Sequence, residues 1–198
     1  MQAQWYGDKR DLVKWGSLIH LCRQHGLKTV IQVPFLPKED RCGYRLSADG
    51  TPVGFPAEVW QHFRDLNHIE LLGRRTGLTI KVLPDEFCHH SRRDYIERIC
   101  AWLDQMNGSP KIVFLDPDTG IEPQKAGSKH VSLSEIQQVW KCLQPGDWLV
   151  LYQHALRRAG WEKLQLAKFC KACGLQRGHM YHCKKIAHDV AFFAARKR

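Results

Sequence analysis

Apolar and polar positions follow two different patterns along this chain, and segments with the two patterns alternate. Short, continuous apolar runs are typical of strands that are covered on both faces. Such runs occupy residues 27–35, 78–84, 111–116 and 147–152. Elsewhere apolar residues recur at every third or fourth position, which is the period of an amphipathic helix. These stretches occupy residues 11–25, 56–77, 91–106, 132–146 and 160–174. Strands that alternate with helices predict an α/β fold with a mostly parallel sheet and right-handed crossovers.

Local signals mark the faces and ends of several predicted helices. The first helix places Leu12, Trp15, Ile19 and Cys22 on one apolar stripe and ends near Gly26. Glycine is the usual residue just past a helix end, because it adopts the left-handed conformation without strain. We expect this stripe to be the buried face of the helix.

Two later helices begin with the pattern of a capping box. Ser91 is followed three residues on by Asp94, and Ser132 is followed three residues on by Glu135. A serine in this position accepts a hydrogen bond from the first helical turn, and the acid returns one. Both helices are therefore predicted to begin at these serines.

Two regions depart from the alternation of strands and helices. Residues 35–56 mix Pro, Gly and charged residues without a period, which predicts a loop-rich insertion with room for a small hairpin. Residues 179–185 and 188–195 favour a terminal antiparallel strand pair. No repeat or linker divides the chain, so residues 1–198 are predicted to form a single α/β domain.

Composition places the chain among packed globular proteins. The 198 residues are 43% hydrophobic and include seven Trp. No stretch reaches the roughly 18 uninterrupted apolar residues of a membrane helix, and the first ten residues have no apolar signal core. We expect a soluble, cytoplasmic protein with no membrane partner; its oligomeric state is not predicted.

Basic residues dominate the charge, with a formal net charge of +10. Such an excess indicates a polyanionic partner, and nucleic acid or a nucleotide is the expected one. A solvated basic surface without a partner is the alternative. The paired arginines predicted to contact the partner are Arg74, Arg75, Arg92, Arg93, Arg157 and Arg158.

Eight cysteines are scattered along the chain, and several fall on apolar helix faces. In a cytoplasmic protein, this distribution favours reduced thiols in the core. Cys170, Cys173 and Cys183 lie near His179 and His182, a combination that also occurs in zinc sites. Because Cys170 and Cys173 fall within a predicted helix, core thiols are the favoured interpretation.

Carboxylates follow the predicted strand 111–116 directly. Asp116 and Asp118 stand in the segment Asp-Pro-Asp-Thr-Gly, at the end of a strand where open α/β sheets bind ligands. The same five residues are also typical of a turn, which is the alternative interpretation. With Glu122 as a third oxygen ligand and Lys125 near a phosphate, the segment could instead hold Mg²⁺ or Mn²⁺.

Histidines are predicted at the same edge of the sheet. His154 follows the strand 147–152, and His89 and His90 follow the strand 78–84. Histidine transfers protons near neutral pH, so His154 is a candidate to share a proton-transfer site with Asp116. His89 and His90, beside two arginines, suit a phosphate or acid-base chemistry, and a solvated loop is the alternative.

The segment before the first predicted helix carries Gly7, Asp11 and Lys14. Asp11 and Lys14 are three residues apart and therefore face each other on a helix, as a surface ion pair would. The order Gly, three residues, Asp, two residues, Lys resembles the N-terminal motif of the adenine-N6 methyltransferases that act on 23S ribosomal RNA. That family also has Asp-Pro-Pro-Tyr at the end of a central strand, where this chain has Asp116 and Pro117.

This resemblance implies a Rossmann-like, methyltransferase-like three-layer sandwich with a C-terminal antiparallel hairpin. It also implies S-adenosylmethionine as the cofactor, with Gly7, Asp11 and Lys14 near the cofactor or the target base. Asp116 would accept a hydrogen bond from the exocyclic amine of that base. The chain differs from the family in two places: Asp118 replaces the second proline, and the segment after the first strand has no glycine before Gly43.

Three functional hypotheses remain open. The leading one is an enzyme that methylates nucleic acid or a nucleotide, with Asp116, Asp118, Asp11, Lys14 and His154 as catalytic residues. The second is a divalent-metal nuclease or phosphodiesterase, with Asp116, Asp118 and Glu122 as metal ligands. The third is a non-catalytic module that binds nucleic acid through basic residues alone.

Overall fold

The computed structural model of the protein describes residues 9–35, 45–48, 51–54, 68–106, 108–123 and 127–198. Its helices are α1 (Lys9–His25), α2 (His68–Thr76), α3 (Arg92–Gln105), α4 (Leu133–Cys142) and α5 (Trp161–Ala172). The strands of its central sheet are β1 (Thr29–Pro34), β4 (Thr79–Val82), β5 (Ile112–Asp116), β8 (Trp148–His154), β9 (His179–Cys183) and β10 (Ala187–Arg196). Its shorter strands are β2 (Arg45–Ala48), β3 (Thr51–Gly54), β6 (Gly120–Ile121) and β7 (His130–Val131). A 3₁₀ turn covers His89–Ser91.

Six strands form the central sheet in the order β4-β1-β5-β8-β10-β9. Strands β4, β1, β5 and β8 run parallel to one another, whereas β10 runs antiparallel to both β8 and β9. A mostly parallel sheet with a closing antiparallel hairpin confirms the predicted Rossmann-like fold class. The parallel strands define two edges: the carboxyl edge, where they end, and the amino edge, where they begin.

Helices cover both faces of this sheet and complete three layers. Side chains of α1 and α2 form one apolar core with the sheet, and side chains of α3, α4 and α5 form the other. Strand β5 supplies both cores in alternation, with Phe114 on the α1 side and Val113 and Leu115 on the α3 side. This two-sided burial explains the continuous apolar run.

The predicted apolar stripe of α1 is wrong at Leu12, which is 63% exposed. The buried face instead includes Val13, Leu18 and the charged residue Lys14. Leu12 and Lys14 are two positions apart, about 200° around a helix of 3.6 residues per turn. Because α1 turns Lys14 toward the sheet, Leu12 faces away from it.

The loop-rich insertion contains the small hairpin that its composition allowed. Strands β2 and β3 pair antiparallel, with Arg45 opposite Gly54 and Ala48 opposite Thr51. The helix α2 lies within the predicted helix 56–77 and forms its described part, since residues 55–67 lie outside the described residues. None of the described helices has the length and apolar character needed to span a membrane.

The cysteines follow the prediction only in part. Cys22, Cys170 and Cys173 are buried free thiols, as expected. Cys100 and Cys142 are joined in a disulfide, with 5.6 Å between their Cα atoms. Cys100 lies on α3 and Cys142 ends α4. Because these two helices pack side by side on one face of the sheet, the two residues come within bridging distance, and the expectation of free thiols was wrong for this pair.

Candidate active site at the carboxyl edge of the sheet

The candidate site lies where the direction of strand progression reverses. From β1 the chain proceeds to β4 on one side, and from β4 it returns to β5 on the other side of β1. Pro34, at the end of β1, is paired with Asp116, at the end of β5. Loops that leave two such strands separate in opposite directions and open a crevice, which is the usual ligand site of an open α/β sheet.

Asp116 is buried at this crevice, with 1% of its surface exposed. Its Oδ2 atom accepts a hydrogen bond from Gln32 Nε2 at 2.7 Å and another from Lys14 Nζ at 3.1 Å. Gln32 belongs to β1 and Lys14 to α1. Two separate elements therefore orient the Asp116 carboxylate. A carboxylate must be held in this way if it is to serve as a fixed hydrogen-bond acceptor.

Lys14 forms an ion pair with each of two predicted site residues, Asp11 and Asp116. Its Nζ atom lies 2.6 Å from Asp11 Oδ1 as well as 3.1 Å from Asp116 Oδ2, and it is close to the rings of Phe114 and Tyr152. Burial by itself would lower the pKa of Lys14, but the charges of Asp116 and Asp11 outweigh it and raise that pKa to about 12. The structure therefore brings Asp11, Lys14 and Asp116 together, whereas Gly7 lies outside the described residues.

The segment after β5 is held by Gln153, a residue of β8 that the sequence analysis did not single out. Gln153 accepts a hydrogen bond from the Ile121 backbone at 2.9 Å and donates one to the Thr119 carbonyl at 3.3 Å. The short parallel pair β6 and β7 continues this segment. Asp118 lies in the segment, partly exposed, with its Oδ2 atom 3.6 Å from Lys129 Nζ.

His154 belongs to a second cluster at the same edge. Its Nε2 atom lies 3.3 Å from Asp189 Oδ2, and Arg10 Nε donates to the same oxygen at 3.0 Å. Burial would raise the pKa of Asp189, but its hydrogen bond and ion pair with Arg10 lower that pKa overall. Asp189 and Arg10 were missed, because only the register of β10 against β8 brings Asp189 beside His154.

Acidic residues also follow β4 at this edge, and the sequence analysis did not single them out either. Asp85 and Glu86 stand three and four residues after Val82, the last residue of β4. Asp85 Oδ1 lies 2.8 Å from Arg98 Nε. Their position just beyond a parallel strand that neighbours β1 is the signal that could have found them.

The three carboxylates of the metal hypothesis have different surroundings. Glu122 Oε1 accepts the Leu133 backbone N–H at 2.9 Å and so helps to cap α4, while Asp118 pairs with Lys129. In the part of the chain that the structure describes, no group of three or more His, Cys, Asp or Glu side chains could hold a metal ion. The metal hypothesis remains a prediction that this geometry does not favour, and Lys125 lies outside the described residues.

Cysteines and histidines near the end of α5 were the alternative metal set. Cys170 and Cys173 are buried, and burial raises the pKa of Cys173 to about 12, assisted by Cys170. A raised pKa disfavours the thiolate form that binds metals. These two residues therefore behave as core thiols in this fold.

The predicted arginine pairs are spread over the molecule. Arg157 and Arg158 are exposed beyond β8 at the carboxyl edge, whereas Arg74 and Arg75 are exposed at the end of α2, next to the start of β4. Arg93 is exposed and pairs with Glu97 on its own helix.

Arg92 differs from the other arginines because it is half-buried and ties the segments around α4 together. Its guanidinium bonds both carboxylate oxygens of Glu135, at 2.7 and 2.6 Å, and the carbonyl of His130 at 2.8 Å. His89 Nδ1 lies 3.3 Å from the same guanidinium, and His90 is exposed beside it.

Comparison with known proteins leaves the family open. No known family matches this chain, and no curated protein does. Among solved structures, the crystal structure of a DUF574 family protein from Streptomyces avermitilis resembles it with a TM-score of 0.41 and 11% sequence identity. The similarity covers 96% of this chain and 82% of that one. It is too distant to assign a family or a function.

Proposed function

We propose that this protein is a methyltransferase-like enzyme that transfers a methyl group from S-adenosylmethionine to an amine of nucleic acid or a nucleotide. The observation that carries the proposal is the position of Asp116. Its carboxylate lies at the carboxyl end of β5, at the reversal point of the sheet, and is oriented by Gln32 and Lys14.

Asp116 is assigned the role of hydrogen-bond acceptor for the target amine. An N–H group that donates to a fixed carboxylate is held in one orientation, with its nitrogen lone pair directed elsewhere, and this is a positioning effect. Lys14 is assigned to hold the carboxylate, because its ammonium group bridges Asp116 and Asp11. His154 and Asp118, at the same edge, are assigned to the substrate side of the site.

The residues at this edge fit the cofactor by the chemistry of their side chains. S-adenosylmethionine supplies an electrophilic methyl group when it is bound. Its ribose hydroxyls and its ammonium group are donors, and carboxylates at the ends of adjacent parallel strands accept such donors. Asp85 and Glu86 beyond β4 are assigned to the ribose, and Asp11 to the region of the methionine moiety. Gly7, which the sequence places next to this region, lies outside the described residues.

Calorimetric titration with S-adenosylmethionine and its demethylated product tests the cofactor. We expect the wild-type protein to bind both, and Asp11→Asn, which weakens the acceptor assigned to the methionine moiety, to bind at least about tenfold more weakly, since one charge-assisted hydrogen bond contributes roughly 1.5–3 kcal/mol. Absence of binding by the folded wild-type protein would rule out methyl transfer from this cofactor.

Asp147→Asn is the matched control for this titration. Asp147 is also a buried aspartate paired with a buried lysine, with 2.9 Å between its Oδ2 atom and Lys111 Nζ, but it lies at the amino edge. This variant should lose stability and keep cofactor binding. If Asp147→Asn weakened cofactor binding as much as Asp11→Asn, the assignment of the site to the carboxyl edge would be wrong.

A transfer assay with radiolabelled cofactor and separate DNA, RNA and nucleotide substrates tests the reaction. Label should enter one of these substrates with the wild-type protein and not with Asp116→Asn. Parallel incubations with Mg²⁺ or Mn²⁺ and end-labelled strands test the nuclease alternative. Metal-dependent cleavage without label transfer would replace the proposed function by phosphodiester hydrolysis.

A further inference from the structure

A basic cleft lies at the amino edge of the sheet, away from the candidate active site. Two adjoining cavities of about 740 and 420 Å³ share His25, Pro110, Trp148 and Arg196 among their lining residues. These volumes fall within the roughly 300–1,000 Å³ of typical ligand sites. We call the two cavities together the amino-edge cleft.

The walls of the amino-edge cleft carry positive charge. Lys28 enters from the start of β1, Arg177 from the segment after α5, and Arg196 from the end of β10, with Lys197 and Arg198 beside it. Neither cavity has an Asp or Glu among its described lining residues. A cleft lined by charge of a single sign concentrates its electric field and attracts ions of the opposite sign.

Most of these cations form no ion pair within the described part of the fold. Lys197 donates to the Trp140 carbonyl at 2.9 Å and lies over its ring. In contrast, Lys28, Arg177 and Arg196 form no ion pair with a carboxylate of the described residues, and all three are exposed. Exposed arginines that form no such ion pair are suited to bind an anion, because the guanidinium group presents its N–H donors in a planar fork.

Rings and apolar groups line the cleft between the cations. The His25 and Trp148 ring centroids are 4.4 Å apart, and those of Trp148 and His179 are 5.4 Å apart. Pro110 and Leu175 add apolar surface. A base or ribose can therefore lie on the imidazoles while its phosphate reaches the arginines, which is how nucleotides are commonly held in clefts.

We propose that the amino-edge cleft binds a nucleotide phosphate, either of a free nucleotide or within a single strand of nucleic acid. The site is separate from Asp116, because Ile112 and Asp116 begin and end β5 and four residues of a strand span about 13 Å. The partner thus contacts a surface opposite the candidate active site.

Charge reversal of two cleft arginines tests this site. Arg177→Glu/Arg196→Glu is compared with the wild type in anisotropy titrations of a labelled single strand of about 12 nucleotides, a length that one nucleic-acid-binding domain can cover. Titrations with adenosine monophosphate and with inorganic phosphate run in parallel. We expect at least a tenfold weaker affinity and a salt slope smaller by about 1.4, from two lost phosphate contacts at ~0.7 each.

The control is Lys163→Glu/Lys185→Glu, which makes the same change in net charge. Both lysines are exposed, and they lie on α5 and in the turn between β9 and β10, outside the lining of the cleft. Loss of strand binding in the cleft variant but not in the control supports the site. An equal loss in both variants, or no binding of any probe by the wild type, overturns it.

The probes also separate the two sources of phosphate, and either source supports the site. Binding of adenosine monophosphate identifies a free nucleotide, and binding of the strand alone identifies nucleic acid. The imidazole of His25 gives a second readout. Burial, Arg196, His179 and His20 lower its pKa, so a bound phosphate should raise that pKa in an NMR titration. Arg177→Glu/Arg196→Glu should bind S-adenosylmethionine as the wild type does, because both arginines line the amino-edge cleft, so failure of the cleft and failure of the proposed cofactor site are distinguishable.

Discussion

At the scale of single residues, buried lysine–aspartate pairs lie at opposite edges of one sheet in the part of the chain that the structure describes. Lys14 bonds Asp116 at the carboxyl edge, and Lys111 bonds Asp147 at the amino edge. Lys111 and Asp147 stand next to the first residues of β5 and β8, and Asp147 also accepts the Lys111 backbone N–H. That pair joins two neighbouring strands, whereas the Lys14 pair connects a helix to the reversal point of the sheet. The difference in location underlies the different roles that we assign to them.

Replacement of Lys14 by methionine should destabilise the protein by about 3–5 kcal/mol, because it leaves two buried carboxylates without their shared ammonium group. Urea unfolding at neutral pH measures the change. Arg93→Ala is the control; it breaks an exposed ion pair with Glu97 and should change the free energy of unfolding by less than about 1 kcal/mol. A loss below about 1 kcal/mol for Lys14→Met would mean that the pair is not buried in solution.

Gly120 should tolerate no side chain, because it combines a φ of 117° with close contact to Gln153. A Cβ atom there would collide with the Gln153 side-chain amide, so Gly120→Ala should cost about 3 kcal/mol from backbone strain and overpacking together. Gly160, with a φ of 69° and open space around it, provides the comparison. Gly160→Ala should cost about 1 kcal/mol, from strain alone. Thermal unfolding of both variants measures the difference, and equal values would contradict the close packing of Gly120 against Gln153.

At the level of elements, two helices share a sequence pattern but not its structural outcome. The Ser132 side chain accepts the Glu135 N–H at 3.2 Å, and Glu135 accepts the Ser132 N–H at 2.7 Å, so α4 begins with a complete capping box. Ser91 stands at the same position before α3 and makes no side-chain cap hydrogen bond. Glu135 is additionally held by Arg92, which connects the start of α3 to the start of α4.

Ser132→Ala should therefore destabilise the protein by about 1 kcal/mol, the usual effect of removing a helix cap. Ser91→Ala is the matched control and should have an effect close to zero, because its side chain makes no cap bond. Chemical denaturation of both variants gives the two free energies. The capping assignment fails if the two substitutions have the same effect.

At the scale of the whole molecule, both cores contain buried cysteine thiols and tyrosine hydroxyls. Their burial determines how the stability of the protein changes at high pH. Burial raises the pKa of Cys22 to about 11 and that of Cys173 to about 12, and it raises the pKa of Tyr95 and Tyr152. The unfolded chain ionises these groups from about pH 9 for thiols and pH 10 for phenols. The folded chain then binds more protons than the unfolded one, so its stability must fall as the pH rises.

Free energies of unfolding measured from pH 8 to pH 11 should therefore be level at first and decline above about pH 9. Tyr152→Phe removes one of these groups and should make the decline above about pH 10 shallower, whatever its effect at pH 8. A constant free energy across this range would show that water reaches these side chains in the folded protein.

Local patterns in the sequence were sufficient for most elements and for part of the site. The apolar run that ends in Asp116 predicted a central strand with a carboxylate at its end, because a fully buried strand needs apolar side chains on both faces. The spacing of Asp11 and Lys14 predicted their contact, since helical positions three apart are neighbours. The rotation of α1 was not predictable, because charged residues that are buried through distant partners look like surface residues in a helical pattern.

The sequence by itself determined the order of strands and helices, the α/β fold class and the carboxylate at the end of β5, since these follow from periods and turns within a few residues. Only the tertiary structure decided which side chains meet there. Lys14 and Gln32 reach Asp116 across 102 and 84 residues, and Arg10 reaches Asp189 across 179. The same holds for the amino-edge cleft, whose cations come from elements far apart in the chain. Contacts at such separations depend on strand order and register, which no local pattern encodes.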